Sequence, residues 1–332
     1  MSKKKSSKSN FLAQGTILVI ASFAAKAIGM IYRIPLTHIL GDDGNGYYST
    51  ANEIYTIILM ISSFSLPLAV SRLVAEREYA GEVKNAHKVL ICSLRFAAVT
   101  GGILSLLTFL LGGVITKYVM GVELASYALR VLAPAILLFA LTGVLRGFFQ
   151  GHGTMVPTAV SQIIEQIINA FVSVAGAWVM LRYGLKIGEQ KGNSELSTAL
   201  AAAGGTFGTV ASVGVALLFM TFIYLAYQKS FKRRMKKDKT GRRESNRAIY
   251  RAIACTILPI VLSTLVYNIS TIVDQSVFNH ILASMGFTQK QYATVWGIYS
   301  GKFRVLMNVP LSIASCLAPS VVPALTEAMA NH

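Results

Sequence analysis

Long apolar runs alternate with short polar breaks along the chain, and the lengths of the runs decide its class. Apolar stretches cover residues 11–40, 47–71, 88–114, 121–147, 156–182, 197–228, 248–282 and 291–326. Each supplies the roughly 20 residues that carry a helix across about 30 Å of hydrocarbon. Several are longer, which permits tilt or protrusion into water. The pattern predicts an all-α polytopic membrane protein of eight spans. Pro35, Pro67, Pro134, Pro259 and Pro310 fall inside spans one, two, four, seven and eight. There the missing N–H weakens the helix ladder and lets a span bend.

Polar positions inside the spans are few and ordered. In span one Gly15, Val19, Ser22, Lys26, Gly29, Arg33 and Thr37 recur at steps of three and four, so they share one helical face. A charge at membrane depth costs at least about 2.5–3.5 kcal/mol, so it normally faces a protein interior or a wet cavity. Two cations on a stripe of small residues therefore predict a cavity that receives an anion. Span two carries Ser49, Asn52, Glu53, Thr56, Met60, Ser63 and Pro67 on one face. Two roles stand open for Glu53: a coupling carboxylate or partner of Arg33, or a structural ion pair that lets both charges be buried. Span five has Gln162, Glu165, Gln166 and Asn169 at the same spacing, read as helix packing, with the lining of a water path as the alternative. Span seven offers Asn268 and Asp274, the latter a cation site or a further pairing carboxylate. Span eight offers Lys302 and Arg304, which either line the same cleft as Lys26 and Arg33 or snorkel to headgroups. Phosphate and pyrophosphate suit a cleft of this kind, because guanidinium presents forked donors to phosphate oxygens.

Composition agrees with the pattern: 54% hydrophobic and 14% charged residues, with mean hydropathy +0.56. The net charge of +17 does not imply nucleic acid, because it is concentrated in the tail 1–10 and the loop 229–251. Basic residues also follow span two, at Arg72, Arg77, Lys84 and Lys88, whereas Gly41 to Gly46 is acidic and reads as a turn. The positive-inside rule then puts both termini and the basic loops in the cytoplasm. The loop 229–251 reads first as a topology determinant and linker, with recognition of acidic lipid headgroups as the alternative. Cys92, Cys255 and Cys316 lie in apolar runs without ligand spacing, so neither disulfide nor metal is expected.

An internal repeat organises the spans. Thr37-His38-Ile39-Leu40 is echoed by Asn279-His280-Ile281-Leu282, and Gly46-Tyr47-Tyr48-Ser49 by Gly297-Ile298-Tyr299-Ser300. Continued without gaps, the second match sets Glu53 opposite Arg304, Leu66 opposite Leu317, Val70 opposite Val321 and Glu76 opposite Glu327. Spans seven and eight thus repeat one and two, in the same orientation. The expected organisation is a basic tail (1–10), a six-helix lobe (11–228), a basic linker (229–247) and two helices of an incomplete second lobe (248–332). On this reading the sequence is a piece of a longer protein.

No catalytic apparatus, cofactor motif or metal-ligand spacing is present, which argues against an enzyme. Ala24-Ala25-Lys26-Ala27-Ile28-Gly29 through Arg33, then His38-Ile39-Leu40-Gly41, resembles the first helix of polysaccharide biosynthesis proteins. Leu66-Pro67-Leu68-Ala69-Val70-Ser71-Arg72, Arg146-Gly147-Phe148-Phe149-Gln150-Gly151 and the stretch Met155 to Gln166 are similar to the same family, its oligosaccharide-lipid flippase branch. The resemblance implies two six-helix lobes around a cleft in a bacterial plasma membrane, and movement of an undecaprenyl-pyrophosphate-linked glycan or peptidoglycan precursor by alternating access. It implies membrane lipids and a coupling cation or proton as further partners, and cleft roles for Arg33 and for Arg304 or Lys302. The rival readings are a multidrug cation antiporter of the same fold, which wants acidic and aromatic residues in the cleft, and a scaffold subunit of a cell-wall or spore-envelope complex.

Overall fold

The computed structural model describes residues 2–191, 195–238, 240, 243–308 and 310, with side-chain environments from residue 15 onward except at 188–191 and 267. The described residues are almost entirely helical and contain no strand. Its helices are α1 (Ser2–Leu59), α2 (Leu66–Tyr79), α3 (Val83–Val114), α4 (Ala125–Gly151), α5 (Val156–Lys191), α6 (Glu195–Lys237), α7 (Asn246–Ser284) and α8 (Gln289–Ile298). Single π-helical turns follow α1 (Met60–Phe64), α3 (Ile115–Val119) and α8 (Tyr299–Phe303).

By length and composition, six described helical stretches can cross a membrane: Gly15–Tyr79, Val83–Val119, Ala125–Gly151, Val156–Ile187, Glu195–Lys237 and Asn246–Ser284. The first of these holds both of the first two expected spans. The last part of the eighth, from residue 311, lies outside the described residues, together with Cys316, Leu317, Val321 and Glu327.

The expected turn at Gly41 to Gly46 is tighter than the sequence suggests. Only Gly41 leaves the helical region (φ 66°, ψ 179°), and Asp42 to Gly46 already form the first turns of the second arm of α1. Positive φ is free of steric cost only without a Cβ, so one glycine suffices for the break. The arms fold back on each other: the Arg33 guanidinium lies 5.2 Å from the centre of the Tyr48 ring. Along a straight helix those residues would stand about 22 Å apart.

Two apolar cores hold the helices, one towards each end of the bundle. The first joins Leu36, Leu40, Tyr47 and Tyr48 of α1 to Leu129 and Leu132 of α4, Ala199 of α6 and Tyr292 of α8. The second joins Leu66 and Val70 of α2, Val89 of α3 and Phe148 of α4 to Ile249, Ile253, Ile257 and Val261 of α7. The α7 residues recur every four positions, which turns one face of that helix onto α2 and α3. Pro67 sits in the first turn of α2, after the π-helical turn, where its missing N–H breaks no ladder bond.

The chain between α6 and α7 is clamped to the α2–α3 turn by polar contacts. Arg77 pairs with Glu244 at 2.7 Å. The Lys84 backbone N–H donates to Asp238 Oδ2 at 2.9 Å, and Lys84 Nζ donates to the Asp238 carbonyl at 2.9 Å. The Thr240 hydroxyl, then the backbone N–H groups of Lys84 and Thr240, hold the Asp238 carboxyl down to about 2. Lys239 and Arg242 of this basic segment lie outside the described residues.

Candidate functional site

Where the second arm of α1 meets α8, both helices must come closer than side chains allow. A Cβ on Gly297 would lie 2.1 Å from the Asp42 carbonyl oxygen, and one on Gly46 would lie 2.1 Å from that of Ala293. Glycine on each helix removes the obstacle, and polar bonds then fix the register. Asn45 Nδ2 donates to the Gly297 carbonyl at 2.7 Å. The Ser300 hydroxyl donates to Ser49 Oγ at 2.8 Å, and Arg304 Nη1 donates to Glu53 Oε1 at 2.6 Å. Both of those pairs are separated by 251 positions, the offset that the repeat gives in the sequence. A constant offset means that the helices run parallel with equivalent residues facing, as at a local two-fold axis.

Beyond the glycine contact the helices part around a cavity of about 220 Å³. Arg33, Ser49, Asn52, Glu53 and Thr56 of α1 face Asn268 and Thr271 of α7 and Ser300 and Arg304 after α8. Arg304 Nη2 also donates to Thr271 Oγ1 at 3.3 Å. The buried Gln275 amide, turned to satisfy its neighbours, donates to Glu53 Oε2 at 2.5 Å and accepts from Trp296 Nε1 at 3.1 Å. Glu53 is thus held from both oxygens, as a carboxylate so deep in the bundle requires. Arg33 is engaged differently. Its guanidinium leans on the Tyr48 ring, while its Nε is buried without a hydrogen-bond partner. With two guanidinium groups and one carboxylate on its wall, the cavity favours an anion, and the Arg33 Nε fits an oxygen acceptor.

The other expected site residues are distributed around this centre. Lys26 lies about 10 Å along α1 from Arg33. It lines a separate cavity of about 510 Å³ with Gln162, Glu165, Gln166 and Arg146. The polar stripe of α5 lies against α1: the Ser22 hydroxyl donates to Gln162 at 3.2 Å, and Asn169 donates to the Tyr32 hydroxyl at 3.0 Å. Glu165 pairs with Arg146 at 2.7 Å, and Arg146 Nε donates to Ser161 at 2.9 Å. Lys302 points away from the Arg33–Arg304 cavity, pairing with Asp42 at 2.7 Å in a groove beside Pro35 and His38. The cleft expected to gather Lys26, Arg33, Lys302 and Arg304 therefore brings together only the two arginines, with Glu53 and Asn52. Seven residues of helical rise separate Lys26 from it, and the Asp42 carboxylate draws Lys302 to the turn. Asp274 is exposed in a further groove with Phe278, Trp296, Tyr299 and the other side of Arg304.

Sequence reasoning did not single out Arg146, Gln275 or Thr271. Arg146 stands at the end of an apolar run, where a basic residue reads as a topology flank. Its signal was an uncompensated Glu165 inside the next span. Gln275 and Thr271 carry no charge, and only their packing reveals them.

A sequence profile of the polysaccharide biosynthesis protein family matches residues 11–329. Among curated relatives, Stage V sporulation protein B of Bacillus subtilis is 26% identical over 97% of this chain and 59% of its own length. Lipid II flippase MurJ of the same organism is 24% identical over 97% and 59%. The uncharacterized membrane protein YabM, also from that organism, is 29% identical over 98% and 57%. The chain thus spans under three fifths of the length of each. Among solved structures, an outward-facing multidrug resistance transporter of the MATE family superposes with TM-score 0.59 at 17% identity, over 96% of this chain and 70% of that one. A transporter of the MOP superfamily from Pyrococcus furiosus gives 0.56 at 17% identity, over 93% and 65%. These likenesses establish a MATE/MOP transporter fold and a multi-pass membrane protein.

Proposed function

The chain belongs to the polysaccharide biosynthesis protein family, and from that premise we propose that it serves in a flippase for a lipid-linked glycan or peptidoglycan precursor. The cavity at Arg33, Glu53 and Arg304 receives the diphosphate of an undecaprenyl-pyrophosphate carrier. The observation that carries this reading is the pair of guanidinium groups on a cavity between membrane-spanning helices, one of them with a buried, unpartnered Nε. A second unit charge without a partner is expensive at such depth. A site that holds one in reserve is suited to a ligand with several negative oxygens.

The contacts support a mechanism. A diphosphate draws Arg304 away from Glu53, while Gln275 keeps the carboxylate partnered on its other oxygen. Breaking that contact loosens α8 from α1 at the level of the cavity. Two further attachments bound the motion. At one end Asp42 and Asp43 hold Lys302, Lys290 and Thr294, and at the other the α6–α7 segment is clamped to the α2–α3 turn. Alternating access exchanges these two ends. We place the protein in a bacterial plasma membrane with its N-terminus cytoplasmic, by the positive-inside rule. The lobes divide at 228 and 248, around the basic linker.

The test compares wild type with Arg33→Ala and Arg304→Ala, measuring binding of an undecaprenyl-pyrophosphate glycan and of a lipophilic cationic dye. Selective binding of the glycan lipid, weakened roughly tenfold or more by each substitution at unchanged helicity, is the expected result. One observation favours a rival: Asp274 stands among Phe278, Trp296 and Tyr299, a lining that suits a lipophilic cation. Dye binding that ignores both arginines and is lost in Asp274→Asn would transfer the assignment to a cation antiporter.

A further inference from the structure

We propose that the groove between the end of α3 and the start of α4 is a binding site for the phosphate group of an anionic membrane lipid, anchored by Arg130. The groove, of about 450 Å³, is separate from the Arg33–Arg304 cavity and is lined by Lys117, Tyr118, Glu123, Tyr127 and Arg130. Arg130 is exposed, little more than one turn into α4, and its side chain is laid across a glycine pair of α3. A Cβ on Gly113 would lie 3.1 Å from Arg130 Nη2, and one on Gly112 would lie 3.6 Å from its Cγ. Those glycines make the channel that the guanidinium occupies.

The charge balance of the groove points to an anion. Lys117 is matched by Glu123 at 3.3 Å, whereas no hydrogen bond or ion pair engages Arg130 among the described residues. One cation is thus left over at the mouth of a membrane-spanning pair of helices. The N-terminal end of α4, which opens into the same groove, adds partial positive charge of its own.

The walls favour a lipid over a free phosphate. The groove runs into the flank of α3, where Ile103, Leu106, Leu110 and Val114 are all exposed at steps of three and four. That stripe offers acyl chains a continuous apolar bed beneath the headgroup. Tyr118 and Tyr127, both exposed, flank the charge as aromatic residues do at headgroup depth. An arginine that merely snorkelled would reach water without selecting any lipid.

The experiment titrates the detergent-purified full chain with phosphatidylglycerol and with phosphatidylcholine, and reads retained lipid by native mass spectrometry. The wild-type protein is expected to retain phosphatidylglycerol preferentially, and inorganic phosphate should fail to displace it. Arg130→Gln should weaken that retention roughly tenfold, the worth of a hydrogen bond to a charged group. Gly113→Leu should weaken it comparably, because its side chain fills the groove and leaves the charge count unchanged. Equal retention of the two lipids by the wild type overturns the proposal without recourse to any variant. So does retention that neither substitution alters, and displacement by inorganic phosphate overturns the lipid as the source of the anion.

Discussion

Replacing Glu53 by Gln removes the carboxylate that holds Arg304 while keeping the shape of the side chain. Arg304 Nη1 lies 2.6 Å from Glu53 Oε1, and the side chains are 36% and 11% exposed. Removing one partner of a fully buried pair costs about 3–5 kcal/mol. Arg304 is more than a third open to solvent, so screening reduces the cost here to about 1–2 kcal/mol. A chain of this size should then lose roughly 1–3 °C in melting temperature. Binding of a diphosphate lipid should move the other way. Glu53 no longer competes for the guanidinium, and a like charge about 8 Å from the ligand contributes about 2 kcal/mol at an effective dielectric of 20. Glu53→Gln should therefore bind an undecaprenyl-pyrophosphate ligand roughly thirtyfold more tightly in nanodiscs while translocating it more slowly, since a ligand held in place is not released. The preference should shrink as salt rises. Weaker or unchanged binding in a variant that remains folded would refute the idea that Glu53 and the ligand compete for Arg304.

Three other outcomes follow from packing and charge. Either Arg146→Gln or Glu165→Gln should destabilise by about 3–5 kcal/mol, because it strands a charge in a pair only 8% and 13% exposed, and the double substitution should cost less than either alone; thermal unfolding of the three variants decides. Gly297→Leu should prevent α8 from seating on α1 at a cost of about 1–3 kcal/mol, and should abolish oxidative cross-linking in a Ser49→Cys/Ser300→Cys background that cross-links readily without it. The Asp238 clamp has its folded value near 2, below the ordinary 3.8, so its contribution is complete above that ordinary value and is lost as pH falls towards 2. Proteolysis of the α6–α7 segment should accordingly accelerate between about pH 4 and pH 2 in wild type, and should be fast and pH-independent over that interval in Asp238→Asn.

Helices and their order were legible because membrane burial writes long apolar runs. The contact of Glu53 with Arg304 was not legible: the repeat offset aligned the two positions, equivalent positions need not touch, and the sequence offered Arg33 as the partner of Glu53. Distances along a helix were the weaker inference. Lys26 and Arg33 share a stripe, yet seven residues of rise place them in different cavities, since a common face does not imply a common depth. Lys302 and Arg304 sit two residues apart and diverge because the Asp42 carboxylate captures one of them. Partners from elsewhere in the chain, Arg146 for Glu165 and Gln275 for Glu53, were beyond any periodicity. Pairings between distant spans are set by tertiary packing, which local pattern does not encode.

The register in which α8 lies along α1 has a consequence for how such a site arises. When a segment packs against its own duplicate around a two-fold axis, each position on the axis meets a copy of itself. Ser49 and Ser300 still obey that rule, and a hydroxyl can pair with a hydroxyl because it both donates and accepts. One turn further on, two identical charges would have repelled each other inside the membrane. An acid on one helix and a base on the other, Glu53 and Arg304, attract instead. The paired backbones keep a constant register, and the unlike side chains give the cavity a polarity that two like side chains would not.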